Sequence, residues 1–365
     1  LIPHVMKRFL IPLFAVAALG SCLAADRPNI LFLFSDDHAL QAISSYGGRL
    51  KDVAPSPNID RLANEGAIFE RSYCSNSICG PSRASILTGK HSHINGFIDN
   101  TFCTFDESQP TFPKILQGAG YQTALIGKWH LNSKPVGFDH YEILPGQGRY
   151  MNPDFIRMDG SDKRFDGYCT DVITDKSLEW LKQQRNPDKP FMLMCQHKAP
   201  HRNWVPAPRH YDLFKGVTIP EPPTLFDDYA NRSKVLKQQQ MMISKHFYWG
   251  WDMLMKNASS PDPRFISGFA NLELERMLPS EKGAFLRAYA AENRALREQL
   301  KEGMTDEEVT RWKYQRYLKN YLRCVRALDE NIGRMLDYLE ESGLAKNTIV
   351  IYSSDQGFFL GEHGW

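Results

Sequence analysis

Four short apolar runs, each closed by polar and charged residues, constrain this chain more than any other feature. They are Asn29–Ser35 before Asp36-Asp37-His38, 121–126 before Gly127-Lys128-Trp129-His130-Leu131, 190–195 before Gln196-His197-Lys198-Ala199-Pro200-His201, and 347–353 before Ser354-Asp355-Gln356-Gly357. Runs this short and continuously apolar suit strands buried on both faces. Helical patterns lie between them. Residues 57–63 open a helix with Ile59, Leu62 and Ala63 on one side. Thr305 and Glu308 form a capping box, and Leu318, Leu322, Val325, Ile332, Leu336 and Leu339 follow at helical spacing, with Gly343 near the end. The fold class expected is α/β. In such sheets ligands sit beyond the carboxyl ends of the strands, where the polar clusters fall.

Cys79-Gly80-Pro81-Ser82-Arg83, continued by Leu87-Thr88-Gly89, is the most specific string in the chain. A lone Cys is ordinarily a small buried thiol. Here Pro81 and Ser82 suit a helix start, because Pro is tolerated in a first turn and Ser satisfies free amides. Residues 82–88 then begin a helix whose positive end faces any bound anion. Residues 67–73 read as a strand leading into this loop. An isolated Asp36-Asp37 pair is ordinarily a solvated turn or cap. At a strand exit the two carboxylates are equally candidate metal ligands, and Asp355-Gln356 repeats the pattern. Lys128 and His130, two apart, point at one site if the chain there is extended; the alternative is a surface Lys beside a packed His. His197 and His201 are four apart, but Pro200 disfavours a continuous helix, so a zinc pair is not expected.

The C-x-P-S-R…L-T-G string resembles the signature of type I sulfatases of the alkaline phosphatase superfamily. In that family the Cys is converted to formylglycine (3-oxoalanine). P-N-I-D-R-L-A at 57–63, G-K-W-H-L at 127–131, the Pro200-His201 pair and L-G-E-H-G at 360–364 extend the resemblance over nearly the whole chain after residue 26. It implies a mixed, mainly parallel sheet sandwiched by helices. It also implies a formylglycine hydrate as nucleophile, with one hydroxyl to attack sulfur and a second to release sulfate. A divalent metal would be held by Asp36, Asp37, Asp355, Gln356 and residue 79. Oxygen ligands favour Ca²⁺, with Mg²⁺ a second fit. By the same resemblance Arg83 holds the hydrate, Lys128 binds sulfate oxygens, His201 protonates the leaving alcohol, His130 is the base in sulfate elimination, and His197 supports His201. The strings K-A-P-H-R-N-W, N-S-I-C-G-P-S-R and S-D-Q-G-F-F-L-G-E-H-G are most similar to bacterial N-acetylglucosamine-6-sulfatases and mucin-desulfating enzymes. The implied partners are a sulfated glycan, of glycosaminoglycan or mucin type, and a formylglycine-generating maturation enzyme. The alternatives are a phosphonate or phosphodiester hydrolase of the same superfamily, and an inactive chain that binds sulfated glycans.

The 365 residues are 42% hydrophobic, enough for a substantial core. Lys and Arg number 44 against 42 Asp and Glu, so no nucleic-acid partner is indicated. Met6-Lys7-Arg8, the apolar run 9–19 and Ala24-Ala25 read as a secretory signal over 1–25. Residues 1–5 read as an upstream translation artefact. Leu19-Gly20-Ser21-Cys22 also fits a lipoprotein box. A periplasmic or secreted bacterial protein is expected, with a surface lipoprotein, and so membrane contact, only if Cys22 is lipidated. Seven Cys occur with no C-x-x-C spacing, which argues against a zinc or thioredoxin-like centre. The sulfatase domain is expected over 26–365. A sulfate-binding Lys follows L-G-E-H-G in the family, so a cut chain without the smaller C-terminal subdomain is also expected.

Three other stretches carry expectations. Residues 132–170 read as hairpins at the mouth of the site, and Gly146-x-Gly148 is not a nucleotide fingerprint because no third Gly follows. Trp204 either stacks on a sugar or covers its loop. Phe247-Tyr248-Trp249-Gly250-Trp251, with Met241, Met242, Met253 and Met255, reads first as a packed helix and second as a sugar platform. Residues 280–301 read as an exposed helix.

Overall fold

The computed structural model describes residues 27–255 and 271–365. The expected signal segment with Cys22 lies outside the described residues, as do residues 256–270. Seven strands form one sheet: β1 (Asn29–Ser35), β2 (Gln122–Lys128), β3 (His140–Leu144), β4 (Asp154–Arg157), β5 (Asp162–Arg164), β6 (Phe191–Gln196) and β7 (Thr348–Ser354). Their order is β5-β4-β3-β2-β6-β1-β7. β7, β1, β6, β2 and β3 run parallel, and β4 and β5 add two antiparallel edge strands. This is the expected mixed, mainly parallel architecture.

Side chains alternate between the two faces of the sheet. Leu31, Leu33, Ala124, Ile126, Leu193 and Cys195 pack on one face against helix Cys169–Glu179 and the C-terminal half of helix Asp306–Glu341. Phe32, Phe34, Leu125, Met192 and Met194 pack on the other against Ala84 and Leu87 of helix Cys79–Thr88. Helix Asp306–Glu341 buries every residue of its expected stripe. Its capping box is formed: the Glu308 amide donates to Thr305 Oγ1 at 3.2 Å and the Thr305 amide to Glu308 Oε2 at 2.7 Å.

Several expectations need correction. Residues 67–73 are not a strand: they join no ladder, β7 is the sheet edge, and Phe69 and Tyr73 are 75% and 85% exposed. β propensity alone does not hold a strand that has no neighbour. Helix Pro279–Glu302 is not simply exposed, because it buries Phe285, Tyr289 and Leu296. The Cys-containing helix starts at Cys79 rather than at residue 82. The 132–170 stretch does form antiparallel pairings, but it also contributes β3, a core strand parallel to β2.

Candidate active site

The strand registers place the polar clusters together. Ser35 pairs with Ser354, Phe34 with Gln196, and Gln196 with Gly127, so four strands end at one level. The residues that follow meet beyond that edge. Asp36, Asp37 and Asp355 each offer an oxygen within 4.8 Å of the others, and all three are buried. Asp36, Cys79 and His201 form a second set within the same limit. The Asp37 amide donates to Asp355 Oδ1 at 3.2 Å, closing a pair 318 residues apart. Helix Asp306–Glu341 braces this loop. The Tyr321 hydroxyl donates to Asp37 O and accepts from the Ala39 amide, both at 2.8 Å.

Arg83 is 3% exposed and ties three strand ends together. Its guanidinium donates to Asp355 Oδ2 at 3.0 Å, to Lys128 O at 3.0 Å and to Gln196 Oε1 at 2.8 Å. It lies 5.0 Å from the centre of the Phe34 ring. Lys128 is fully buried, and its amine pairs with Asp36. Gly127 makes this placement possible: a Cβ there would sit 1.9 Å from Gln196 O, and its φ is +114°. Only glycine lets β2 approach β6 so closely in that conformation.

His130 is also at the site, but not through an extended chain as expected. Its φ is +57°, so a left-handed residue turns the ring. His201 places Nε2 3.8 Å from Asp37 Oδ2 and directs Nδ1 at Arg202 O. His197 does not support His201 as expected. Its ring lies 3.5 Å from Cys195 Sγ, and its amide donates to Phe34 O at 2.7 Å, so it braces the strands instead. Trp204 is fully buried, 4.5 Å from the Tyr317 ring, and covers its loop rather than facing a sugar. Phe247, Trp249 and Met253 are likewise buried and belong to the packed core, whereas Trp251 lines a cavity.

The electrostatics reflect crowding of like charge. Burial, then Asp36, lifts Asp37 to about 7. Burial, then Asp36, also raises Asp355. Burial would raise Asp36 too, but Lys128, His201 and Arg83 outweigh it and hold it well below the usual range. Burial, then Lys128 and Arg83, lowers His130 to about 3. Burial and the neighbouring Asp36 raise the Cys79 thiol, so the thiolate is disfavoured and the unmodified Cys is a poor nucleophile.

The carboxylates fit a hard cation. Asp36 Oδ1 is buried without a hydrogen-bond partner, and a divalent ion would relieve the repulsion among three carboxylates. Gln356 sits beside them, its amide nitrogen donating to Asp37 Oδ1 at 2.6 Å. Rotation of that amide would present its oxygen to the ion.

A cavity of about 440 Å³ opens beside this cluster, sharing His201 with it, and is also lined by Lys198, whose charge acts on Asp37. Gln147, Arg149, Asn203, Trp251, Glu273 and Arg276 also line it. The residue pattern did not single out Gln147, Arg149, Lys198, Asn203, Glu273 or Arg276. Lys198 alone carried a signal, lying between two histidines that had been weighed as ligands.

The α/β sheet thus carries an acidic, cation-ready cradle at its carboxyl edge, beside a buried Cys on a helix start. The chain belongs to the sulfatase family, whose profile matches residues 28–364. It is 48% identical over 98% of its length to an N-acetylglucosamine-6-O-sulfatase of Bacteroides thetaiotaomicron, and spans 63% of that relative. It is 31% identical to the human N-acetylglucosamine-6-sulfatase over 57% of this chain and 42% of that one. A solved structure in complex with its substrate D-glucosamine-2-N,6-O-disulfate matches with a TM-score of 0.85 and 47% identity, covering 93% of this chain and 67% of the other.

Proposed function

We propose that this protein hydrolyses sulfate esters at the 6-position of glucosamine-type sugars in sulfated glycans, acting in the periplasm or outside the cell. The observation that carries the reading is the convergence of Asp36, Cys79 and His201 within 4.8 Å, joined to the Asp36–Asp37–Asp355 cradle. The names of the two relatives and the ligand of the solved structure support the substrate class. Formylglycine at position 79 would supply, as its hydrate, an attacking hydroxyl and a second one that lets sulfate depart. Ca²⁺ held by Asp36, Asp37, Asp355 and Gln356 would supply positive charge against the sulfate.

The other groups act around that centre. Lys128, already set against Asp36, offers a cation to the sulfate oxygens. Arg83 keeps Asp355, β2 and β6 in register, so it positions the cradle through its hydrogen bonds. His201 lines the cavity, so its ring is placed to pass a proton to the departing sugar oxygen. His130, kept neutral by burial and by Lys128 and Arg83, with Nδ1 free of a hydrogen-bond partner, accepts a proton as sulfate is eliminated.

The test uses the full-length protein matured by a formylglycine-generating enzyme. Peptide mass spectrometry should show residue 79 as the aldehyde, and the protein should release sulfate from N-acetylglucosamine 6-sulfate while Cys79→Ala does not. Equal turnover by Cys79→Ala, or preferential cleavage of a phosphodiester, would overturn the reading.

A further inference from the structure

Helix Asp306–Glu341 presents Tyr314, Tyr317 and Tyr321 to the loops packed against it. Residues three and four apart share one helix face, and all three side chains are fully buried. Each hydroxyl reaches the backbone of a different loop. The Tyr314 hydroxyl donates to Pro220 O. The Tyr317 hydroxyl donates to Phe359 O at 2.6 Å, on the loop that carries Asp355 and Gln356. The Tyr321 hydroxyl donates to Asp37 O and accepts from the Ala39 amide, both at 2.8 Å. Two phenols about one helical turn apart therefore hold the two halves of the acidic cradle. Tyr321 holds the Asp36–Asp37 half, and Tyr317 holds the Asp355–Gln356 half.

The rings are themselves fixed. Tyr317 and Tyr321 lie 6.3 Å apart between ring centres, and Phe358 packs on them at 6.4 and 6.5 Å. Trp204 closes on Tyr317 at 4.5 Å. The cradle needs such a hold. Asp36, Asp37 and Asp355 are buried with oxygens within 4.8 Å of one another, so they repel one another when ionised. Asp37 also has a φ of +61°. That left-handed conformation costs an L residue free energy and persists only where its surroundings fix it. The Asp37 backbone is fixed on both sides, its amide by Asp355 Oδ1 at 3.2 Å and its carbonyl by Tyr321. Loss of the phenol lets residues 37–39 relax and carries the Asp37 carboxylate away from Asp355.

We propose that Tyr317 and Tyr321 are positioning residues that set the spacing between the two halves of the cradle. The carboxylates are then already gathered when a cation arrives, and a preorganised site binds more tightly. The two phenols act through the loop backbone and are not ligands. This role rests on the calcium reading above and adds to it a source of affinity that lies outside the carboxylates.

The experiment titrates calcium by calorimetry into the matured full-length protein, stripped of metal with chelator, and into Tyr314→Phe, Tyr317→Phe and Tyr321→Phe. Each variant keeps its ring and loses one buried hydroxyl. Tyr317→Phe and Tyr321→Phe should each weaken calcium binding about tenfold, the lower end of what groups that orient metal ligands contribute. Tyr314→Phe is the control. Its hydroxyl reaches Pro220 O and no part of the cradle, so it should bind calcium as the parent does. Urea midpoints measured without calcium separate affinity from stability. If they fall alike in all three variants while calcium affinity stays unchanged, the phenols are ordinary buried hydrogen bonds and the proposal is overturned. Unchanged affinity in either Tyr317→Phe or Tyr321→Phe alone also overturns it, as does an equal loss of affinity in Tyr314→Phe; each of these leaves the calcium reading intact. A parent protein that binds no calcium overturns both.

Discussion

Arg83→Met isolates the contact on which the site's architecture depends. Methionine keeps an apolar stem over Phe34 but removes the guanidinium. Asp355, held by two nitrogens at 3.0 and 2.9 Å, becomes a buried carboxylate facing Asp36 with Lys128 as the remaining nearby cation. Breaking a buried ion pair by removing one partner costs about 3–5 kcal/mol. Gln196 Oε1 and Lys128 O also lose a donor, and each stranded acceptor costs about 1–3 kcal/mol unless it finds another. Partial relaxation and protonation of Asp355 return some of this, so the expected loss is about 4–6 kcal/mol. That is a large part of the 5–15 kcal/mol typical of a folded domain. The assay is urea unfolding followed by tryptophan fluorescence, with chelator present. Arg83→Met/Asp355→Leu should be more stable than Arg83→Met, since no carboxylate is then stranded, and the coupling should reach about 2 kcal/mol. A loss below about 1 kcal/mol in Arg83→Met, or strict additivity in the double variant, refutes the reasoning.

Two further predictions concern the cradle and its strand. Calcium at a hundred times its dissociation constant should add about 2.7 kcal/mol to the unfolding free energy and raise the melting temperature by several degrees. Asp37→Asn should lose that shift while melting no lower than the parent without calcium, because it removes a carboxylate that Asp36 repels; an equal calcium shift in both proteins would place the ion elsewhere. Gly127→Ala should lower the urea midpoint by at least the equivalent of about 2 kcal/mol, as a Cβ 1.9 Å from Gln196 O forces β2 away from β6; a midpoint within error of the parent would show that the strands have room.

Much of the site was legible because its parts are local. Asp36-Asp37, Gly127-Lys128, Pro200-His201 and Asp355-Gln356 each follow an apolar run, and a buried strand announces its end where the apolar residues stop. β3 was missed because His140 and Glu142 interrupt its apolar residues, so it shows neither a continuous run nor a long alternation. Residues 67–73 were over-read for the opposite reason: Ile68, Phe69 and Tyr73 look like strand residues, and nothing local says that no neighbour pairs with them. Trp204 and Phe247 had the composition of a sugar platform, yet they pack on Tyr317. Composition does not tell a stacking surface from an aromatic core.

The sequence by itself determined the strand ends and the chemical groups they carry, because period and residue type act over a few neighbouring positions. Only the tertiary structure decided which ends meet. The order β2-β6-β1-β7 sets Lys128, Gln196, Asp36 and Asp355 side by side, and Asp37 meets Asp355 across 318 residues of chain. The cavity is wholly of this second kind. Arg149, Asn203 and Arg276 belong to three separate segments with no shared pattern, and only the folded chain brings them to one cavity.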